Sequence, residues 1–113
     1  MTDAAQLIDR LEAITNTIRS GAAMVKQVRH DANGRINQII ESPLTIATLA
    51  AEAEQISGRL TNQQLHGEQA LRAVRAQVRC ALAIEPYVDA SSRARIAELV
   101  KSTERDWSGV TLR

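Results

Sequence analysis

Apolar residues recur near the start of the chain in alternating steps of four and three. Leu7, Leu11, Ile14, Ile18, Val25 and Val28 follow this rhythm, with Gly21 at the skipped slot. Such heptad-like spacing holds one apolar stripe on one side of an α-helix, so it predicts a first helix over residues 3–30. Asp3 occupies the expected N-cap, with Gln6 three residues on as in a capping box. Asp31-Ala32-Asn33-Gly34 is expected to end the helix, because Asn-Gly favours positive φ and a tight turn. Gly21, mid-helix on this reading, either costs about 1 kcal/mol against Ala or admits a close neighbour. A stripe this long needs a partner surface of equal length, supplied by this chain or by a second copy.

Ile36, Ile39 and Ile40 make residues 35–41 a short helical connector. Ser42-Pro43 then marks a helix start, since Ser caps and Pro fits the first helical position. A second helix over 44–57 follows, its seam formed by Ile46, Leu49, Ala53, Ile56 and Leu60. Gly58 as a C-terminal stop, Thr61 with Gln64 as a capping box, and Leu60 with Leu65 as a hydrophobic staple mark a break. The alternative is one continuous helix to Ile84, about 60 Å long, with Gln63 or Gln64 facing its seam. On the broken reading a third helix spans 62–84, carrying Leu71, Val74, Val78 and Leu82. Pro86 ends it, Asp89 or Ser91 caps a fourth helix over 90–107, and Val110 to Arg113 form a tail. With no repeat and no strand-like alternation, the chain predicts a single all-α domain over 1–113. Its architecture is an antiparallel bundle of about four helices with coiled-coil-like seams. The expected core is Leu7, Leu11, Ile14, Ile18, Val25, Val28, Ile46, Leu49, Ile56, Leu60, Leu71, Val74, Val78, Leu82, Ile96 and Val100.

Composition supports this class. No Phe, one Tyr and one Trp occur in 113 residues, so the core must come from Leu, Ile, Val and Ala, which suit closely spaced helices. A formal charge of +1 gives no global pull toward nucleic acid or a membrane. The longest apolar run, Cys80 to Ile84, is far too short to span a bilayer. Asp3, Asp9, Arg10 and Glu12 leave no apolar leader near the start. One cysteine, Cys80, allows no internal disulfide and agrees with a reducing compartment, so a cytoplasmic protein is expected.

The clearest surface feature is Arg72, Arg75 and Arg79, which fall within about 60° of one another on a helical wheel and border the Leu71–Val74–Val78–Leu82 stripe. This edge can grip phosphates or an acidic partner, or pair with carboxylates on a neighbouring helix and with Glu68 one turn back. No aromatic lies among these arginines to stack bases. Trp107, at the end of the fourth helix, either closes the bundle or stands exposed as an interface anchor. His30 suits the negative end of the first helix, and His66 suits a solvated position. Neither has metal-ligand spacing around it. Cys80 sits in a packing context, and no phosphate loop, nucleophile elbow or paired His/Glu helix is present.

Trp107-Ser108-Gly109 is similar to the W-x-G tripeptide of the small helical-hairpin substrates of type VII secretion. That motif stands in a mid-chain turn there and after a fourth helix here, so the three-residue resemblance implies nothing further. The expected function is a non-enzymatic interaction or assembly protein, without cofactor, metal or small-molecule substrate. It would act through helix faces on itself as a homo-oligomer and on a larger protein, with Arg72, Arg75, Arg79 and Trp107 as candidate partner-binding residues. The alternatives are a nucleic-acid-associated subunit using the arginine edge, and a small secreted or chaperone-type helical partner.

Overall fold

The computed structural model describes residues 3–21, 25–42 and 44–113, the stretches 25–30, 36–42 and 44–45 by their backbone. The first helix, α1 (Ala4–Arg19), buries Leu7, Ile8, Leu11, Ile14 and Ile18. It stops well short of the 3–30 expected from the apolar spacing. Ser20 N–H donates to Asn16 O at 3.0 Å and Gly21 N–H to Ile18 O at 3.2 Å, with Gly21 at φ +79°. A glycine in the left-handed region closes the helix end, so Gly21 is a stop and not a mid-helix residue.

Beyond it, Val25–His30 (β1) pairs antiparallel with Ile36–Ser42 (β2), where a helix end and a helical connector were expected. Val25, Val28, Ile36, Ile39 and Ile40 are β-branched, which favours extended backbone. The turn between the strands is organised by Asp31. Its carboxylate accepts from Asn33 N–H at 2.9 Å and Arg35 N–H at 3.0 Å, while Gly34 takes φ +78°. Asn33-Gly34 therefore marks a hairpin, not a helix stop. The Val25 and Val28 side chains, placed in the core by the sequence pattern, lie outside the described side chains, as do His30 and all of Pro43.

Helix α2 (Leu44–Thr61) runs through Gly58, which is helical and not a C-terminal stop. Thr61 ends this helix and does not cap the next: its hydroxyl donates to Ser57 O at 2.8 Å. Residues 62–66 form the break. Helix α3 (Gly67–Ile84) begins five residues later than the expected 62, with His66 at its N-cap. A 3₁₀ turn over Glu85–Tyr87 holds Pro86, and α4 (Ala90–Asp106) starts at Asp89, whose carboxylate accepts from Ser92 N–H at 2.7 Å.

Helices α1 and α2 run antiparallel, with Ala4 and Leu7 beside Arg59 at one end, and the expected all-α bundle is the body of the fold, with the hairpin added to it. Arg10 meets Glu52 across α1 and α2 at 2.7 Å. Arg72 of α3 meets Asp9 and Glu12 of α1, while Cys80 lies beside Thr15 and Arg19. Residue numbers thus rise together along α1 and α3, and these two helices are parallel.

Helix α3 is apolar on two faces. Ala73, Ala76, Cys80 and Ile84 join the core shared with α1 and α2. Leu71, Val74, Val78 and Leu82 pack instead with Ile96, Val100, Trp107 and Leu112. At 100° per residue the two sets point nearly opposite ways. Ala73, Ala76 and Cys80 of the first set are small, which permits close approach to α1. Of the core expected from the sequence, Leu7, Leu11, Ile14, Ile18, Ile46, Ile56, Leu60, Val78 and Val100 are buried, while Leu49, Leu71, Val74, Leu82 and Ile96 are half-buried against it. It omits Ala4, Ile8, Ala53, Ala73, Ala76, Cys80, Ile84 and Leu112, all buried. The long seam, whose partner surface was expected from this chain or from a second copy, is cut at Arg19, and α1 is covered by α2 and α3 of the same chain.

Candidate anion-binding cleft

Parallel packing of α1 and α3 places one edge of each helix side by side. Glu12, Thr15, Asn16 and Arg19 recur at helical spacing on α1. Arg72, Arg75, Ala76 and Arg79 do so on α3. Together they line a cleft of about 260 Å³. Thr15 and Ala76 form its buried floor. Four guanidiniums face one carboxylate in this lining.

The two ends of the cleft differ. At the N-terminal end, Arg72 Nη2 donates to Asp9 Oδ1 at 2.6 Å and Arg72 Nε to Glu12 Oε1 at 2.9 Å. These bonds, the one to Asp9 first and then Glu12, hold the Arg72 guanidinium above the usual arginine range. Glu12 is thereby engaged. At the C-terminal end, Arg75 is half-buried and its Nε donates to the backbone carbonyl of Thr111 at 2.8 Å, leaving its terminal nitrogens for other acceptors. Arg79 and Arg19 are exposed and make no hydrogen bond or ion pair with any described residue. Arg19 also lies in the last turn of α1, where a cation meets the negative helix end.

Of the arginines read from the sequence, all three reach this cleft, with different roles. Arg72 pairs with Asp9 and Glu12 and not with Glu68. Arg75 ties down the C-terminal segment. Arg79 points the cleft outward in charge. Arg19 and Asn16 were missed, although their spacing from Glu12 on one helical edge was the available signal. Trp107 does not join the cleft. It closes α4, its N–H donating to Thr103 O at 3.0 Å, and its ring is half-buried against the Val78–Val100–Leu112 cluster. Leu112 is buried and Arg113 Nε donates to Glu104 Oε1 at 2.9 Å, so the C-terminal tail packs back on the body.

Two other groups bear on chemistry. The Cys80 thiol is buried, and burial pushes its pKa up against the opposing effects of the Thr15 hydroxyl and Arg19. His66 stands exposed at the N-terminus of α3, and Asn62, Gln63 and Gln64 are exposed in the loop before it. Among the described residues no group of three or more His, Cys, Asp or Glu is placed to hold a metal ion. No helix among them is long and apolar enough to cross a membrane. The cleft can form bidentate, charge-assisted hydrogen bonds to carboxylate or phosphate oxygens. The chain matches no family model, no curated protein and no solved structure.

Proposed function

We propose that this chain is a non-enzymatic interaction protein that docks an acidic segment of a protein partner in the cleft between α1 and α3. The observation that carries this reading is an imbalance within one cleft: Arg72 is doubly paired, whereas Arg19, Arg75 and Arg79 converge beside it without a carboxylate among the described residues. Like charges held this close favour an incoming anion. An apolar docking face is poorly supported by comparison. Tyr87, Leu99 and Val110 are the large hydrophobics exposed among the described residues. They lie before, within and after α4, so they form no continuous stripe.

An acidic peptide fits better than a nucleic acid. Among the described residues no aromatic side chain lines the cleft, so bases have no stacking platform. A phosphate backbone would also call for an extended basic track, whereas the chain's net charge is +1. A cytoplasmic, reducing setting is part of this proposal and rests on Cys80 being a buried free thiol.

Fluorescein-labelled hexaglutamate, titrated with the full chain and followed by anisotropy, tests the reading. Binding is expected at low salt, weakening as salt rises, and falling at least about tenfold in an R19Q/R79Q double variant. K101Q, on α4, is expected to bind like the parent. Binding of labelled oligothymidylate in place of hexaglutamate would replace this reading with the nucleic-acid one. Binding of neither, or equal binding by R19Q/R79Q, would overturn the cleft as a docking site.

A further inference from the structure

Among the described residues the hairpin is a two-stranded sheet with no third strand. Among the described residues, β1 and β2 each have one ladder edge with no pairing strand. The strands contact one another far more than any helix. The molecule is also elongated, measuring 61 × 32 × 20 Å, although helices of 16–18 residues span only about 27 Å. Its radius of gyration, 17.3 Å, exceeds the roughly 13 Å of a compact chain of this length. The hairpin therefore stands out from the helical body. A lone hairpin is marginal in water, and three or more strands or a packed helix are needed for independent stability.

The two free edges are not equivalent. Strand β1 carries Lys26, Arg29 and His30 in six residues. Pairing β1 antiparallel with its own copy about the strand midpoint sets Lys26 opposite Arg29, a like-charge pair across the ladder. Charged strands of this kind are how natural sheets guard an edge. Strand β2 carries one charge, Glu41, and three isoleucines. Antiparallel self-pairing centred on Ile39 sets Ile39 opposite Ile39, Gln38 opposite Ile40, Asn37 opposite Glu41 and Ile36 opposite Ser42. No like charges meet.

We infer that β2 is the dimerisation edge of this protein, pairing antiparallel with β2 of a second copy about a two-fold axis at Ile39. The product is a four-stranded sheet with both β2 strands in the middle and both β1 strands outside. The hairpin register sets Ile39 opposite Val28 and Ile40 opposite Gln27, so each inner strand is paired on both sides. The outer edges are then the basic β1 strands, whose charge blocks further addition. Assembly closes at two copies, as an isologous interface does. This inference uses no residue of the arginine cleft and stands independently of it.

Light scattering on a sizing column, run on the full chain over a concentration series, tests the inference. Twice the chain mass is expected at high concentration, falling toward the monomer on dilution. I39K opposes two lysines at the axis and is expected to be monomeric. I39E is expected to be monomeric for the same reason. An equimolar mixture of I39K and I39E is expected to recover the dimer, which only direct contact between the two copies of position 39 produces. R29Q, on the outer strand, is expected to remain dimeric. Far-ultraviolet circular dichroism confirms that each variant keeps its helices. A parent chain that stays monomeric to its solubility limit would overturn the inference. So would a dimer that survives I39K, or a mixture of the two variants that stays monomeric.

Discussion

Arg72 on α3 joins two carboxylates one turn apart on α1, Asp9 at 2.6 Å and Glu12 at 2.9 Å. All three side chains are substantially exposed to solvent. Exposed pairs contribute little to stability, so the effect of this cluster is on charge. It occupies the cleft's own carboxylate and leaves the other arginines without one. R72Q is accordingly expected to shift the melting temperature by no more than about 2 °C. Releasing Asp9 and Glu12 beside the cleft is expected to weaken hexaglutamate binding about three- to tenfold. Differential scanning fluorimetry and anisotropy on the same preparation separate the two effects. A large loss of stability with unchanged binding would make Arg72 a structural clamp instead.

Close packing of α1 against α3 depends on the small residues Ala73, Ala76 and Cys80. Ala76 is buried on this face, so A76L is expected to cost about 1–3 kcal/mol by overpacking. Ile14, fully buried on α1, is expected to lose about 2–5 kcal/mol on substitution by Ala. Urea unfolding followed by circular dichroism measures both. An A76L variant as stable as the parent would mean that the two helices are not tightly apposed.

The buried Cys80 thiol, its pKa raised by burial, is expected to react with an aromatic disulfide reagent more than about 100-fold more slowly in the native protein than in urea. The raised value also sets a sign for stability. Above the ordinary thiol pKa of 9.0 the unfolded chain releases this proton more readily than the folded one. Stability is therefore lost as pH rises from there through the folded value. C80A is expected to flatten that alkaline decline. Rapid labelling in native buffer would contradict the packing of α3 on α1.

Asp89 caps α4 through Ser92 N–H, and this bond depresses its carboxyl pKa below 3.8. For a depressed carboxylate the stabilising contribution is complete above the unfolded value and is lost as pH falls through the folded one. Asn caps about as well but carries no charge. D89N is expected to melt about 1–3 °C below the parent at neutral pH, and the gap is expected to close as pH falls below 3.8. A gap independent of pH would show that the carboxylate charge has no part in the cap.

Leu112 and Trp107 share the cluster on the outer face of α3. With a single tryptophan in the chain, its fluorescence reports this contact alone. L112A is expected to red-shift the emission maximum as the tail lifts and the ring meets water. An unchanged spectrum would mean that the tail does not shield Trp107.

Much of the helical body was legible in the chain. Leu7, Leu11, Ile14 and Ile18 follow one stripe, and Ile46, Ile56 and Leu60 another, because burial against neighbouring helices imposes the helical period on the side chains themselves. The break between α2 and α3 was legible in the lost phase of the apolar stripe, but its place was not: Thr61 ends α2 and α3 begins at Gly67, so the apparent capping box does not form. The hairpin was misread because Val25 and Val28 continue the heptad count by spacing alone. Gly21 and Asn33-Gly34 each support two readings, a helix interruption or a stop in one case, and a helix end or a hairpin turn in the other. The apolar periods could not arbitrate between them. The small face of α3 was missed because Ala73, Ala76 and Cys80 matter by their lack of bulk, which leaves no strong apolar signal.

By itself the sequence determined the helical class, the positions of most buried side chains and the clustering of Arg72, Arg75 and Arg79 on one helix edge. These follow from short-range chemistry: propensity, capping and a period of 3.6 residues. Only the tertiary structure decided that α1 and α3 run parallel, that Arg72 is neutralised by Asp9 and Glu12 while Arg19 joins Arg75 and Arg79, and that two strands stand away from the bundle with free edges. The helix relationships join residues about 60 positions apart, where local pattern carries no information and packing geometry alone selects the partner, while the hairpin turns on a choice between helix and strand that the apolar spacing leaves open.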